Sequence, residues 1–278
     1  MFSYLIPILV MAVIGTIAGI ILTIAHKAMA VEINPLTEDL LAALPGVNCG
    51  ACGFAGCYEY AVALTDDHDI NTNLCPPGGD QTAKALAEIL GVDFQASSKN
   101  FAIVRCGGSL FESSLKMDYR GIPTCKANKR FYRGRFICPQ SCLGYGDCQR
   151  TCPYNAIHVE NGLAKIDRDL CIGCGLCQNA CPNNLIDIIP GNARTYVACM
   201  TELSDAKTKR ACKVGCISCN LCIKACKFDA ISINNWTHAV IDYDKCVNCG
   251  LCAKVCPRNC IITLPKRPTA KQKTSKKN

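Results

Sequence analysis

The first stretch of the chain is apolar with no break. Tyr4 to Ala25 is a run of 22 residues without a charge. At 1.5 Å per residue such a helix reaches about 33 Å, enough to cross a bilayer. Lys27 is the first charge, and most basic residues follow it. The positive-inside rule then predicts a C-terminal side in the cytoplasm. Ala28-Met29-Ala30 resembles a signal-peptidase site. However, the run is longer than a signal h-region and no Lys or Arg precedes it, so a retained anchor is expected. Gly15 and Gly19 form a G-x-x-x-G that would let a second membrane helix approach, or reflect ordinary glycine usage there. Beyond Asn34-Pro35 the apolar positions shorten into three helical stretches: Leu36 to Leu44, Phe54 to Leu64 and Asp80 to Leu90. The last has Asp80 as N-cap and Gly91 as its stop. Gly91 to Asn100 reads as a linker. Further on, Ile157 to Val159 and Leu163 to Ile166 flank an Asn161-Gly162 turn. Ile231 to Ile233 and Ala239 to Ile241 flank Asn234-Asn235. Both pairs predict β-hairpins.

Cysteine changes this picture, because 25 of the 278 residues are Cys. Cys216, Cys219, Cys222 and Cys226 fall as C-x2-C-x2-C-x3-C. Cys246, Cys249, Cys252 and Cys256 repeat the spacing, and Pro257 follows. This is the bacterial two-cluster ferredoxin register. Three thiols in a tight loop reach three corners of one cube, and the fourth ligates the other. The register predicts one 4Fe–4S cluster on Cys216, Cys219, Cys222 and Cys256, and another on Cys246, Cys249, Cys252 and Cys226. Zinc sites use two pairs per metal rather than interleaved quartets, and disulfides need an oxidising compartment. Nearer the N-terminus, Cys49, Cys52, Cys57 and Cys75 form C-x2-C-x4-C-x17-C. Glycines between them allow close wrapping of a cube, and a single 4Fe–4S cluster is expected.

The cysteine-rich half is duplicated. Cys148 and Cys152 match Cys222 and Cys226 at an offset of 74, and Cys171, Cys174, Cys177 and Cys181 match Cys246 to Cys256 at 75. Cys125 and Cys138 likewise match Cys199 and Cys212. Two tandem ferredoxin modules follow from this. The regular cluster of the first is assigned to Cys171, Cys174, Cys177 and Cys152. Its companion breaks register, because Tyr145 stands where the second module has Cys219. That cube has Cys142, Cys148 and Cys181, with Cys138 the nearest candidate for the fourth ligand. Without Cys138 it would keep an open iron, the main route to a catalytic reading. Cys106, Cys125, Cys199, Cys212 and Cys260 remain. Buried free thiols are the plainer reading. A sixth cluster on the first four of them is left open, though no compact register supports it.

Charge adds less than it first suggests. The net formal charge is +8, and six basic residues from Lys266 to Lys277 account for all but +2 of it. Each cube with four thiolates carries roughly −2, so five clusters would add about −10. No basic, aromatic-interleaved surface motif points to nucleic acid. His26, His68, His158 and His238 lie apart and take structural or surface readings. No dinucleotide fingerprint, P-loop or nucleophile elbow appears.

An anchor, then Asn48-Cys49-Gly50-Ala51-Cys52-Gly53-Phe54-Ala55-Gly56-Cys57 with Cys75, then Val104-Arg105-Cys106-Gly107-Gly108, then Cys138-Pro139-Gln140-Ser141-Cys142-Leu143-Gly144-Tyr145-Gly146-Asp147-Cys148, then a second ferredoxin module: this order resembles the B subunit of Rnf complexes. The resemblance runs from Met1 to about Leu264. Shorter members carry one ferredoxin module, where this chain has two. It implies a membrane-bound ferredoxin:NAD+ oxidoreductase that couples electron flow to Na+ or H+ translocation. In it, this chain would take electrons from soluble ferredoxin and pass them to membrane partner subunits.

The expected fold is α+β. A transmembrane anchor (1–30) precedes a small helical 4Fe–4S domain (31–92). A linker with the first two-cluster module (93–190), the second module (191–264) and a basic tail (265–278) complete it. Expected cofactors are five 4Fe–4S clusters. Expected partners are soluble ferredoxin, the other membrane subunits and the lipid bilayer, with no nucleic acid. The expected location is the inner, cytoplasmic membrane, crossed once, with the C-terminal domains in the cytoplasm. Alternatives are an iron–sulfur enzyme working at an open iron in the first module, or a redox sensor.

Overall fold

The computed structural model describes residues 5–28, 34–67, 69–96, 100–235 and 237–266. The Ser97-Ser98 marker of the linker, His68, and all of the basic tail after Lys266 lie outside the described residues, as do Met29 and Ala30 of the cleavage-like site.

Helix α1 spans Leu5–Ala28. Its described side chains from Leu9 to Ala25 are all exposed. Over the described residues alone, no helix is long and apolar enough to cross a membrane.

Three helices build the next unit. Helix α2 (Pro35–Ala43) starts on Pro at N1, and the Asn34 side chain accepts the Leu36 N–H at 3.0 Å. Helix α3 (Cys57–Asp66) begins three residues later than the apolar pattern predicts. Gly50 and Gly53 hold positive φ, so the chain must turn through 50–56 before it can coil. Helix α4 (Gly79–Leu90) caps on Gly78 and ends on left-handed Gly91, with Asp80 in its first turn and not at the cap. Leu40, Tyr60, Leu64 and Leu86 form a closed core between them.

Each ferredoxin-like module pairs an outer and an inner set of strands. In the first, β1 (Asn100–Val104) runs antiparallel to β4 (Ile186–Pro190), with Ala102 opposite Ile188. The inner hairpin joins β2 (Ile157–Glu160) to β3 (Leu163–Ile166) through Asn161 and Gly162, both at φ near +50° to +70°. In the second module β5 (Thr195–Val197) pairs with β8 (Ile261–Thr263), and β6 (Ile231–Asn234) pairs with β7 (His238–Ile241). Short helices sit between the strands: α5 (Cys125–Tyr132), α6 (Asp147–Thr151) and α7 (Leu176–Ala180) in the first module, then α8 (Asp205–Ala211), α9 (Leu221–Ala225) and α10 (Leu251–Lys254) in the second.

The two modules interlock. The Lys213 N–H donates to Glu112 O at 2.8 Å, and the Ser114 N–H donates to Ala211 O at 2.9 Å. Phe101, Ile103 and Ile189 of the first module pack with Tyr196, Tyr243 and Leu264 of the second.

Candidate metal centres

A repeated local device aims the thiols. A residue in the left-handed conformation precedes each of the helices α6, α7, α9 and α10: Gly146, Gly175, Asn220 and Gly250. Three residues after each closing Cys, at Asn155, Asn184, Asp229 and Asn259, the backbone is left-handed again. Gly, Asn and Asp adopt this conformation at least cost. Two reversals per turn wrap the chain around a centre and leave the Cys side chains converging on it.

The Cys49, Cys52, Cys57 and Cys75 thiols converge on one centre. Burial pushes the Cys75 thiol up to about 11, and Cys57, Cys49 and Cys52 each add to the rise. Asn48 fastens the loop by accepting the Cys57 N–H at 2.8 Å. Cys152, Cys171, Cys174 and Cys177 line a single cavity of about 320 Å³. There the Ala102 N–H of β1 donates to Cys171 Sγ at 3.3 Å. Cys226, Cys246, Cys249 and Cys252 line another cavity, of about 330 Å³. Cys216, Cys219, Cys222 and Cys256 form a further group: burial raises the Cys222 thiol to about 11, with Cys216, Cys219 and Cys256 contributing.

The irregular centre differs from the sequence expectation. Cys142, Cys148 and Cys181 line a cavity of about 420 Å³, and the fourth thiol there is Cys125, not Cys138. The reason is tertiary. Cys125 opens α5, and the Asp147 carboxylate at the start of α6 accepts the N–H groups of Cys125 and Lys126, each at 3.0 Å. That clamp brings α5 against the cysteine loop although 22 residues separate the partners. Burial drives the Cys148 thiol up to about 12, reinforced by Cys142, Cys125 and Cys181. Tyr145, at the position of the missing cysteine, sits under the Arg135 guanidinium, 4.7 Å from its ring centre. Cys138 lines a different cavity, together with Cys106, Cys199 and Cys212. Sequence reasoning missed this exchange. The repeat that pairs Cys125 with Cys199 was the one signal that both do similar work.

The donor sets fit iron–sulfur cubes. All 25 cysteines are free. Within these groups burial and neighbouring thiols raise Cys75, Cys148, Cys177, Cys222 and Cys252, which resist ionisation unless cations offset the charge, and a thiolate-bound cluster supplies them. Among the described residues, no three His, Cys, Asp or Glu side chains come close enough to hold a single metal ion. A cube spreads its four thiolates over four irons, so its ligands stand further apart than those of one zinc.

The centres follow one another through the molecule. Burial raises the Tyr154 phenol, and Cys174, Cys49, Cys75 and Cys152 all add to the rise. Tyr154 is thus influenced electrostatically by thiols of both the Cys49–Cys75 group and the Cys152–Cys177 group. His238 is buried, with Nδ1 3.0 Å from Thr201 O, in a structural role. His158 is exposed on β2.

Comparison with known proteins agrees in kind. A 4Fe-4S dicluster domain family matches residues 209–263, a 4Fe-4S binding domain family matches 164–187, and a putative Fe-S cluster family matches 44–77. The B subunit of the ion-translocating oxidoreductase complex of Methanosarcina acetivorans is 37% identical over 255 residues, covering 91% of this chain and 96% of that protein. The B subunit of the proton-translocating ferredoxin:NAD(+) oxidoreductase complex of Clostridium ljungdahlii is 38% identical, covering 84% of this chain and 83% of that one. Its counterpart in the Na(+)-translocating ferredoxin:NAD(+) oxidoreductase complex of Acetobacterium woodii is 38% identical over 260 residues, 93% of this chain and 78% of that one.

Proposed function

The chain belongs to the family of B subunits of ion-translocating oxidoreductase complexes, and from that premise we propose that it is the iron–sulfur component that takes electrons from reduced ferredoxin and delivers them to membrane partners of a ferredoxin:NAD+ oxidoreductase. Five clusters are held by Cys49, Cys52, Cys57 and Cys75; by Cys125, Cys142, Cys148 and Cys181; by Cys152, Cys171, Cys174 and Cys177; by Cys216, Cys219, Cys222 and Cys256; and by Cys226, Cys246, Cys249 and Cys252. One observation carries this reading: thiols in quartets converge at successive positions from the helical unit through both modules.

When bound, the clusters supply one-electron transfer and no bond-making chemistry. The chain's own groups hold and tune them. Backbone N–H groups of Ala102 and Leu185 donate to Cys171 Sγ and Cys181 Sγ at 3.3 and 3.4 Å, which stabilises the thiolates and raises potential. With Cys125 in the irregular quartet, four thiols serve four corners. A cube held by four such thiols needs no open iron position, which supports the electron-carrier reading over the enzyme alternative.

Helix α1 serves as a single membrane anchor in the inner membrane, with the cluster-binding units on the cytoplasmic side. The uncharged run from Tyr4 to Ala25 in the sequence and the downstream basic residues support this. Ferredoxin docks where Lys126, Arg130 and Arg133 are exposed beside Phe131 and Tyr132, on the helix that begins at Cys125. An acidic protein is drawn to such a face.

The test is anaerobic purification of the full chain and titration with reduced ferredoxin. Bleaching of the iron–sulfur absorbance is expected. A colourless or zinc-loaded protein, or one that ferredoxin does not reduce, overturns the reading.

A further inference from the structure

We propose that the cavity between the two ferredoxin-like modules holds a sixth 4Fe–4S cluster on Cys106, Cys138, Cys199 and Cys212, an inference that rests on the iron–sulfur reading above and extends it. These four thiols line one cavity of about 390 Å³. The three cavities that carry other quartets measure about 320, 330 and 420 Å³. No compact register announces the site, because each thiol comes from a different segment. Cys106 follows β1, Cys138 follows α5, Cys199 follows β5, and Cys212 ends α8. Cys138 and Cys212 are repeat mates, so the site sits where the duplicated modules face each other.

Every sulfur of the four has a polar partner. The Cys142 N–H donates to Cys106 Sγ at 3.4 Å, and the Cys216 N–H donates to Cys199 Sγ at 3.3 Å. The Ser113 hydroxyl faces Cys212 Sγ at 4.0 Å, and the Thr201 hydroxyl lies 3.8 Å from Cys138 Sγ. Three of the sulfurs, those of Cys106, Cys199 and Cys212, thus face donors, as iron-bound thiolates do. The Ser141 hydroxyl is buried with no partner, on the wall shared by this cavity and the Cys125 cavity. A cluster on either side would give it an acceptor. Gly108 leaves the space open: a Cβ there would collide with Ser113 Oγ and stand 3.0 Å from Cys212 Sγ.

Assembly is a ligand exchange without net redox change. Four iron–thiolate bonds to these cysteines replace the four iron–thiolate bonds by which carrier thiols hold a preformed 4Fe–4S core, and the four protons given up by the cysteines go to the released carrier thiolates. The position has a consequence. Cys142 and Cys216 belong to quartets of the first and second modules, and their backbone N–H groups each donate to a sulfur of this site. The site thus bridges the irregular centre of one module and the neighbouring centre of the other.

The experiment is iron and acid-labile sulfide per full-length chain, purified without oxygen in detergent. About 24 of each is expected, six cubes of four. About 20 overturns the sixth cluster and leaves the five-site reading standing; little or none overturns both. Cys199→Ala and Cys212→Ala are expected each to lower the count by about 4 and to remove one component from the reduced EPR spectrum. An unchanged count in either folded variant overturns the site. If a variant fails to fold, the wild-type count decides alone.

Discussion

Cys260 shows how much a single thiol can matter next to a cluster. It is 2% exposed, and its Sγ lies 3.5 Å from Cys256 Sγ. Its single S–H serves Cys256 or Cys216, which lowers both of those thiols while its own proton is held more tightly. A donor that favours thiolate also favours the reduced, more negative cluster. Cys260→Ala is expected to leave the iron count unchanged and to lower the potential of the Cys216–Cys256 cluster. The expected shift is roughly 40 mV, a hydrogen bond of about 1 kcal/mol expressed for one electron. Potentiometric EPR reads it, and an unmoved potential refutes the role. At the irregular centre, Cys125→Ala is expected to lose or degrade one 4Fe–4S signal although no local motif contains Cys125. Cys138→Ala is expected to spare that signal. The reverse pattern would restore Cys138 as the ligand.

Helix α5 carries two roles on eight residues. Thr124 caps it by accepting the Ala127 N–H at 3.2 Å, and Asp147 holds its first turn against the cysteine loop. Its outer face leaves Lys126, Arg130 and Phe131 exposed. The double variant Lys126→Glu, Arg130→Glu is expected to raise the KM for ferredoxin several-fold at low salt, with kcat little changed. The difference should shrink as ionic strength rises past about 0.15 M, where the Debye length is near 8 Å. Equal KM values at low salt would remove α5 from the docking face. Strands β1 and β5 differ from the hairpins in another way: both lie before the cysteine loops they serve, and each finds its partner about 70 to 90 residues on. Local pattern marked 91–100 as linker and said nothing of either strand. The Asn161-Gly162 hairpin needed no distant partner and was legible from the dipeptide alone.

Across the whole molecule the proposed sites lie in the helical unit, in the first module, in the inter-module cavity and in the second module. Tyr154 marks one junction, and the Cys142 and Cys216 N–H groups mark another. Removing residues 1–30 is expected to move the protein from the membrane to the soluble fraction with its iron content intact. Continued sedimentation with membranes in the absence of partner subunits would show that α1 is not the anchor. Loss of iron on this truncation would show that α1 supports the clusters directly, against the separate roles given to them here.

Spacing along the chain was enough to predict the regular quartets, the tandem duplication and an apolar first helix. Those depend on residues within one loop or one periodic run, where a few bonds limit what the side chains can reach. Which thiols complete the irregular centre, and which meet between the modules, was decided only by tertiary structure. Cys125 reaches its cavity through an Asp147 clamp 22 residues away. Cys106, Cys138, Cys199 and Cys212 come together only because β1, α5, β5 and α8 pack against each other. Ligands gathered by packing leave no interval in the sequence to count.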